Sequence, residues 1–330
     1  MKILGMGNAL VDIVTELPND LLLKDLSLQK GSMQLVDKDF SDKVREKISR
    51  LPCIEKSGGS AANTICGLAS LGVEAAFIGK IGRDRLGEVF RSDLEHHGVT
   101  PLMRFGDTET GLALALVSRN SERTFATYLG AAVEMEPSHL DAAFFKGYTH
   151  FYIEGYLMQH YELIRRAVEL AKDAGLDVII DMASFNVVED NRDFLHFLIK
   201  EYADVVFANA DEARAFTGRR KPEEALQKIA EDCWITVVKT GANGSLVQNG
   251  KKVYRIPARK VNCIDTTGAG DLYAAGFLYG LHLNLKFDLC GEIGSILAGK
   301  VIEVMGAKIP DDEWPEIREL IKQTLYKQVK

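Results

Sequence analysis

The sequence predicts an α/β protein: a mostly parallel central sheet with helices on both faces, plus a small β-sheet lid. Three observations predict it. From residue 57 onward short β-branched runs alternate with amphipathic stretches closed by glycine, the pattern of strands joined by crossover helices. Two stretches break that rhythm and read as strands outside any βαβ unit. Apolar residues make up 46% of the 330 residues, ample for one large core.

Each element follows from its local pattern. Residues 3–14 form an apolar run interrupted by Asn8 and Asp12, with no small-residue cleavage site after it. It reads as a buried strand leading into a Gly-rich turn rather than a leader, with Asp12 at the strand's end. Residues 33–36 are a short strand. Residues 60–71 are Ala-rich with helical spacing and stop at Gly72; residues 74–81 are a strand, and 86–97 a helix closed by Gly98. Residues 112–117 and 123–129 flank the polar stretch 118–122 as a β-hairpin. Residues 161–174 are an amphipathic helix ending at Gly175, followed by strands at 178–180, 205–208 and 234–239. The expected organisation is one domain over residues 1–330. Its lid is discontinuous, from about 13–40 and 104–130, unless those stretches are ordinary edge strands.

Charge and cysteine content exclude several functions. With 40 Lys and Arg against 47 Asp and Glu, the formal net charge is −7. The densest basic run is Arg219, Arg220 and Lys221, too short for a nucleic-acid track. Five cysteines without a C-x-x-C pair argue against a disulfide framework or a zinc site and fit reduced thiols in the cytoplasm. No apolar stretch approaches the roughly 20 residues of a membrane helix.

Two glycine patterns fail on inspection. Gly5-Met6-Gly7 follows a strand, but Leu10 holds the third position of a dinucleotide fingerprint, which weakens a nicotinamide oxidoreductase reading. Gly294 to Lys300 spells G-x-x-x-x-G-K, yet Val301 replaces the Ser or Thr that holds magnesium, and the segment continues as a helix.

Asp265-Thr266-Thr267-Gly268-Ala269-Gly270-Asp271 is different. Small residues directly before an Asp that opens a helix let successive N–H groups point at one spot, where the helix dipole favours an anion. Asp271 is then either the helix cap or a base facing a phosphoryl group held by those donors.

DTTGAGDLYAAGFL resembles the C-terminal signature of the ribokinase-like (PfkB) carbohydrate kinases, a family that includes adenosine kinases. Gly58-Gly59-Ser60-Ala61-Ala62-Asn63 resembles that family's N-terminal signature. The order and spacing of the two cover essentially the whole chain. Asn209-Ala210-Asp211-Glu212 matches the family's N-x-x-E motif, which helps position magnesium and phosphate; helix capping by Asn209 or Asp211 is the structural alternative. Lys239-Thr240-Gly241-Ala242-Asn243-Gly244 is similar to the family's nucleotide-binding turn. Asp12 matches the family Asp that binds substrate hydroxyls.

The resemblance implies a ribokinase-like fold and in-line phosphoryl transfer from ATP, with Mg2+, to a primary hydroxyl. Asp271 is the expected general base, and Gly268, Ala269 and Gly270 supply the stabilising N–H donors. Asp12, Gly58, Gly59 and Asn63 are expected to fix the acceptor. Arg123 either reaches the phosphates or is a solvated strand residue. Gly7 to Ile13 looks more like the adenosine kinase version of the first motif than the ribokinase one, and Gln34 matches a Gln that faces the nucleoside. Tyr156 and Phe185 then offer faces for a base to stack on, or else pack in the core. Gln34 and Asn8 equally suit a free sugar.

Asp265 and Thr267 resemble the family's monovalent-cation loop, whose other half follows the last long helix near Gly306. Val304, Met305 and Lys308 stand there, which puts K+ dependence in question. The expected partner is a small sugar or nucleoside, with no nucleic acid and no membrane; a homodimer through the lid is the expected assembly. Two other readings remain. A phosphosugar kinase needs a basic group near Asp12 or in the lid, where the sequence offers Lys24, Lys30, Lys38 and Arg104. A catalytically silent sugar- or nucleotide-binding regulator is disfavoured by the intact Asp271, Gly268–Gly270 and Glu212.

Overall fold

The structure is a computed structural model, and it describes residues 1–120 and 122–327. Ser121, within the polar stretch expected to join the hairpin, lies outside the described residues. The first half of the chain runs β1 (Lys2–Met6), β2 (Leu10–Glu16), α1 (Leu21–Asp25), β3 (Met33–Leu35), α2 (Lys38–Ile48), β4 (Cys53–Ser57), α3 (Ser60–Ser70), β5 (Glu74–Ile81), α4 (Arg85–His96), β6 (Val99–Phe105), β7 (Thr110–Val117), β8 (Arg123–Gly130) and β9 (His150–Glu154). The second half runs α5 (Tyr161–Asp173), β10 (Asp177–Asp181), α6 (Phe185–Asp190), α7 (Arg192–Tyr202), β11 (Ala203–Asn209), α8 (Ala210–Thr217), α9 (Pro222–Ile229), β12 (Ile235–Lys239), β13 (Ser245–Asn249), β14 (Lys252–Ile256), α10 (Ala269–His282), α11 (Phe287–Val301) and α12 (Trp314–Lys327).

Among the described residues the strands form two sheets. The larger has the order β14-β13-β12-β11-β10-β9-β1-β5-β6. It is parallel except where β13 pairs antiparallel with both β12 and β14. Period-2 alternation divides its side chains between two cores. Ile3 and Ile179 meet α3, α10, α11 and α12 on one face, while Leu4, Val178 and Ile180 meet α5, α7, α8 and α9 on the other. Helix spacing matches: α5 buries Leu163, Ile164, Ala167, Val168, Leu170 and Ala171 on a single stripe. Residues 294–300 are helical, inside α11, as the failed G-K pattern implied.

The smaller sheet has the order β3-β8-β7-β2-β4. β7 and β8 pair antiparallel as the expected hairpin. Three sequence expectations change here. The run 3–14 is two strands rather than one, broken at Gly7-Asn8-Ala9 where the chain leaves the large sheet. Asp12 therefore lies inside β2 of the small sheet, opposite Ala113, and not at the end of the first strand. The small sheet's strands also extend beyond the expected bounds: β4 belongs to it, whereas Arg104 lies in β6 of the large sheet.

The register of the small sheet gives it two distinct faces. Asp12, Ala113 and Thr127 align across three strands, and Leu35 continues the row. Two residues along, Val14, Ala115 and Phe125 share that face and pack with Met305 of the body. The opposite face carries Ile13, Leu114 and Ala126 against Leu23, Val44 and Ile48 of α1 and α2.

Candidate active site

The body presents its site at the carboxyl ends of the parallel strands, where ligands bind in open α/β folds. α10 begins there. Its cap is Gly268 in the left-handed region at φ 73, packed so closely that a Cβ would lie 2.8 Å from Ala307 Cα. Leu272 N donates to Gly268 O at 2.8 Å, so the amides before it belong to the unpaired first turn of a helix. Ala269 N is the exception, donating to Thr266 O at 3.3 Å.

Asp271 is the third residue of α10 and not its cap. Its carboxylate faces α3: Ser60 Oγ donates to Oδ1 at 2.7 Å and Asn63 Nδ2 donates to Oδ2 at 2.9 Å. Thr64 Oγ1 donates to the Asp271 carbonyl at 3.2 Å. Burial pushes the Asp271 carboxyl up to about 6, against the two side-chain hydrogen bonds that favour its charged form.

Asp12 faces the same region from the small sheet. A Cβ at Gly58 would run into its carboxylate, so glycine there lets the backbone approach. Burial, with Asp271 adding to it, pushes Asp12 up to about 7 despite the nearby Lys308 and Arg123. Asn8 is buried at the break between the sheets; its Nδ2 donates to Tyr156 O at 3.4 Å, and its carbonyl lies close under Gly59. Asn63 Oδ1 is buried without a partner.

Three further acids were missed in the sequence. Glu154 ends β9 and joins the two motifs: Oε1 accepts from Asn8 N at 2.9 Å and Oε2 from Ala61 N at 2.6 Å. Burial pushes it up to about 7. Asp181 ends β10 and accepts from Lys239 Nζ at 3.0 Å. Asp93, on α4, holds the buried Lys308, which also bonds Ser57. An acid closing an apolar strand was the available signal for Glu154 and Asp181; Asp93 had none, because its partner lies 215 residues away.

Lys239 Nζ lies 3.1 Å from where a Cβ of Gly270 would stand. An ammonium thus sits beneath the glycine turn, raised in pKa by Asp181 and Glu212 although burial opposes it. Thr240 and Gly244 close the turn after β12, with Thr240 N donating to Gly244 O at 2.8 Å, and Gly241 opens the short helical turn between them. Asn209 caps α8 and shares a capping box with Glu212. Burial pushes Glu212 up to about 7, with Lys239 opposing.

Gln34 stands apart from this cluster, whereas Phe185 opens α6, which packs against α8 and the Gly155–Leu157 turn. Gln34 aligns with Ala126, on the helix-covered face of the small sheet, and its Nε2 donates to Ser32 Oγ at 3.3 Å. It does not share a face with Asp12, because one residue of register reverses the side of the sheet. Phe185 begins α6 and is 46% exposed, so it is not core packing. Tyr156 is partly buried, with its hydroxyl donating to Ala183 O at 3.3 Å.

Arg123 is not solvated. Its side chain is 8% exposed and pairs with the buried Asp265. Burial lowers it to about 10, against the attraction of Asp12. Asp265 Oδ1 in turn accepts from Thr267 N at 2.7 Å. The basic groups that act on Asp12 are therefore Arg123 and Lys308.

The comparisons with known proteins agree with this architecture. The chain is 28% identical over 331 residues to the adenosine kinase of Saccharomyces cerevisiae, covering 93% of this chain and 96% of that one. It is 27% identical over 281 residues to a 5-dehydro-2-deoxygluconokinase of Bacillus velezensis, covering 80% and 85%. The crystal structure of adenosine kinase from Sinorhizobium meliloti matches with a TM-score of 0.89 at 34% identity, covering 97% of this chain and 99% of that one. The profile of the pfkB family carbohydrate kinases matches residues 35–314. Two joined glycine motifs, a ribokinase-like pair of sheets and a match across most of the chain place this protein in the pfkB family, on its adenosine kinase-like branch, as a sugar or nucleoside kinase and hence a phosphotransferase.

Proposed function

We propose that this kinase transfers the γ-phosphoryl group of ATP to a primary hydroxyl of a ribosyl acceptor, with Asp271 as general base. Kinases of this family use ATP, generally with Mg2+. The observation that carries the reading is the Asp271 carboxylate, half-buried in the first turn of α10 and oriented from α3 by Ser60 and Asn63. A carboxylate has about four lone-pair positions, so these two bonds fix its direction and leave room to accept a proton. With its pKa at about 6, it is ionised at neutral pH yet close enough to accept a proton as the hydroxyl attacks.

Around the transfer, the amides of Gly268, Ala269 and Gly270 and the Lys239 ammonium meet developing negative charge. Asp12 and the unpartnered Asn63 Oδ1 accept hydroxyl protons of the acceptor, while Arg123 keeps two buried donors, Nε and Nη1, without protein partners. Asn8, Gly59 and Tyr156 line the same side.

Among the described residues, no group of three or more His, Cys, Asp or Glu side chains is placed to hold a metal. Glu212, buried in the first turn of α8, is the residue that would help hold a Mg2+ ion arriving with the nucleotide. The chemistry such an ion would supply is neutralisation of the phosphates.

Arg123 and Lys308 beside Asp12 favour a second reading, a phosphosugar acceptor, although each is already paired with a buried Asp. An acceptor screen with ATP and Mg2+ across ribonucleosides, pentoses, hexoses and their phosphates decides between them. Turnover of ribonucleosides or free pentoses is the expected result. A phosphosugar outcompeting both reverses the choice, and no turnover of any acceptor removes the transfer reading.

A further inference from the structure

We propose that Arg123 is the resident cation of the Asp265 loop, holding the phosphate-facing turn in place where a monovalent metal ion was expected. The geometry of the loop stands by itself; its effect on rate rests on the phosphoryl-transfer reading above.

The residues of the expected K+ site do not fit that ion. The Asp265 side chain is fully buried and its oxygens are already used. Oδ1 accepts from Thr267 N at 2.7 Å, and Oδ2 accepts from Gly306 N at 2.6 Å and pairs with Arg123 Nη2. On the return segment, the Ile302 carbonyl accepts from Ile264 N at 2.7 Å and Asp265 N at 3.1 Å. Lys308, two residues beyond Gly306, is buried and turned to Asp93 and Ser57. A metal ion entering here would meet the Arg123 guanidinium and an Asp265 carboxylate whose two oxygens already have partners, and like charges in a buried setting repel strongly.

The guanidinium does what the ion would do and adds a connection the ion would lack. Asp265 clamps Thr267, one residue before Gly268, and Gly306, one residue before the Ala307 on which Gly268 packs. Arg123 opens β8 and aligns with Val117, on the same face of the small sheet as Asp12. Its other contact from Nη2 is Met305 Sδ at 3.6 Å. One planar, permanently charged side chain therefore ties the acceptor-facing sheet to the turn that begins α10. Arg123 is a positioning residue for that turn.

The test compares the full-length wild type, Arg123→Gln and Arg123→Lys in K+, Na+ and choline salts at equal ionic strength. It reads Tm without substrates, and kcat and KM with ATP, Mg2+ and acceptor. The wild type is expected to show the same Tm and kcat in all three salts. Arg123→Gln is expected to lose kcat on the order of a hundredfold through misplacement of the turn, with KM for ATP changing less. It is expected to gain a Tm rise and partial recovery of kcat specific to K+. Arg123→Lys, which keeps the charge, stays independent of K+. A K+-specific rise in Tm or kcat of the wild type overturns the proposal, as does Arg123→Gln with wild-type kcat. If Arg123→Gln does not fold, the wild-type salt response and Arg123→Lys decide. If no acceptor is phosphorylated at all, the transfer reading fails, while the wild-type Tm in the three salts still decides the cation.

Discussion

Asn63 holds Asp271: its Nδ2 donates to Asp271 Oδ2 at 2.9 Å across 208 residues of sequence. That bond joins the first turns of α3 and α10, and it stabilises the charged carboxylate against a burial that favours the neutral one. Removing it should raise the Asp271 pKa further. Hydrogen bonds to charged groups contribute about 1.5–3 kcal/mol, or roughly one to two pKa units. Asn63→Ala is expected to move the acidic limb of the kcat–pH profile upward by about that much. An unmoved limb would separate Asn63 from the proton-accepting group.

Asp271→Asn keeps the shape of the side chain and removes the base. Loss of general-base assistance costs about 10²–10⁴ in rate. We expect kcat to fall by about that factor while nucleotide binding, read by calorimetry, stays within a few-fold. Substantial residual turnover would reassign the base.

Two of the raised carboxyls, Asp271 and Asp12, predict an ordered pH response. Asp271 at about 6 should set the acidic limb of kcat. Asp12 at about 7 should make kcat/KM for the acceptor continue to rise to higher pH. The stability effect has the opposite sign. Asp12 is raised from 3.8 to about 7 on folding, so its favourable contribution is present below 3.8 and lost as pH rises through 7. Asp12→Asn should therefore raise Tm more at pH 8 than at pH 5, by at most about 4 kcal/mol of stability at the higher pH, while KM for the acceptor worsens. A Tm gain that does not grow with pH would contradict the buried-acid account.

Gly268→Ala tests the turn itself. At φ 73 a side chain is strained, and its Cβ would meet Ala307 backbone at 2.8 Å. A left-handed non-glycine residue costs about 1–3 kcal/mol. The expected outcome is a lower Tm together with a loss of kcat larger than the change in KM for the acceptor.

What the sequence made legible was local. The glycine motifs and the polar residues beside them, Asp271, Asn209 and Glu212, sit in contiguous segments that can be picked out in one dimension, and the βα alternation of the body follows from hydrophobic period. What it hid depends on parity and distance. The break at Gly7-Asn8-Ala9 moved Asp12 into another sheet, and a single step of register put Gln34 on the wrong face. β4 is exposed along Cys53, Ile54 and Glu55, so it lacks the apolar alternation that marks a strand. Arg123 looked like a solvent-facing residue because its partner Asp265 lies on the far side of the chain, and Lys308 needs Asp93 to make sense.

The break at Gly7-Asn8-Ala9 has a consequence for how such a kinase diversifies. The small sheet is assembled from two excursions, one between β1 and α3 and the other after β6, so it hangs on the body at several strand ends. The groups we propose for the phosphoryl donor belong to β12, α8 and α10, whereas Asp12 and its neighbours on the sheet face belong to the excursions. Arg123 ties the two sets together through Asp265; away from that link, substitutions on one set leave the other's scaffold intact. Acceptor preference can thus drift among descendants while the transfer apparatus stays fixed. That separation gives a physical reason why relatives at similar distance from this chain carry the names of an adenosine kinase and a 5-dehydro-2-deoxygluconokinase.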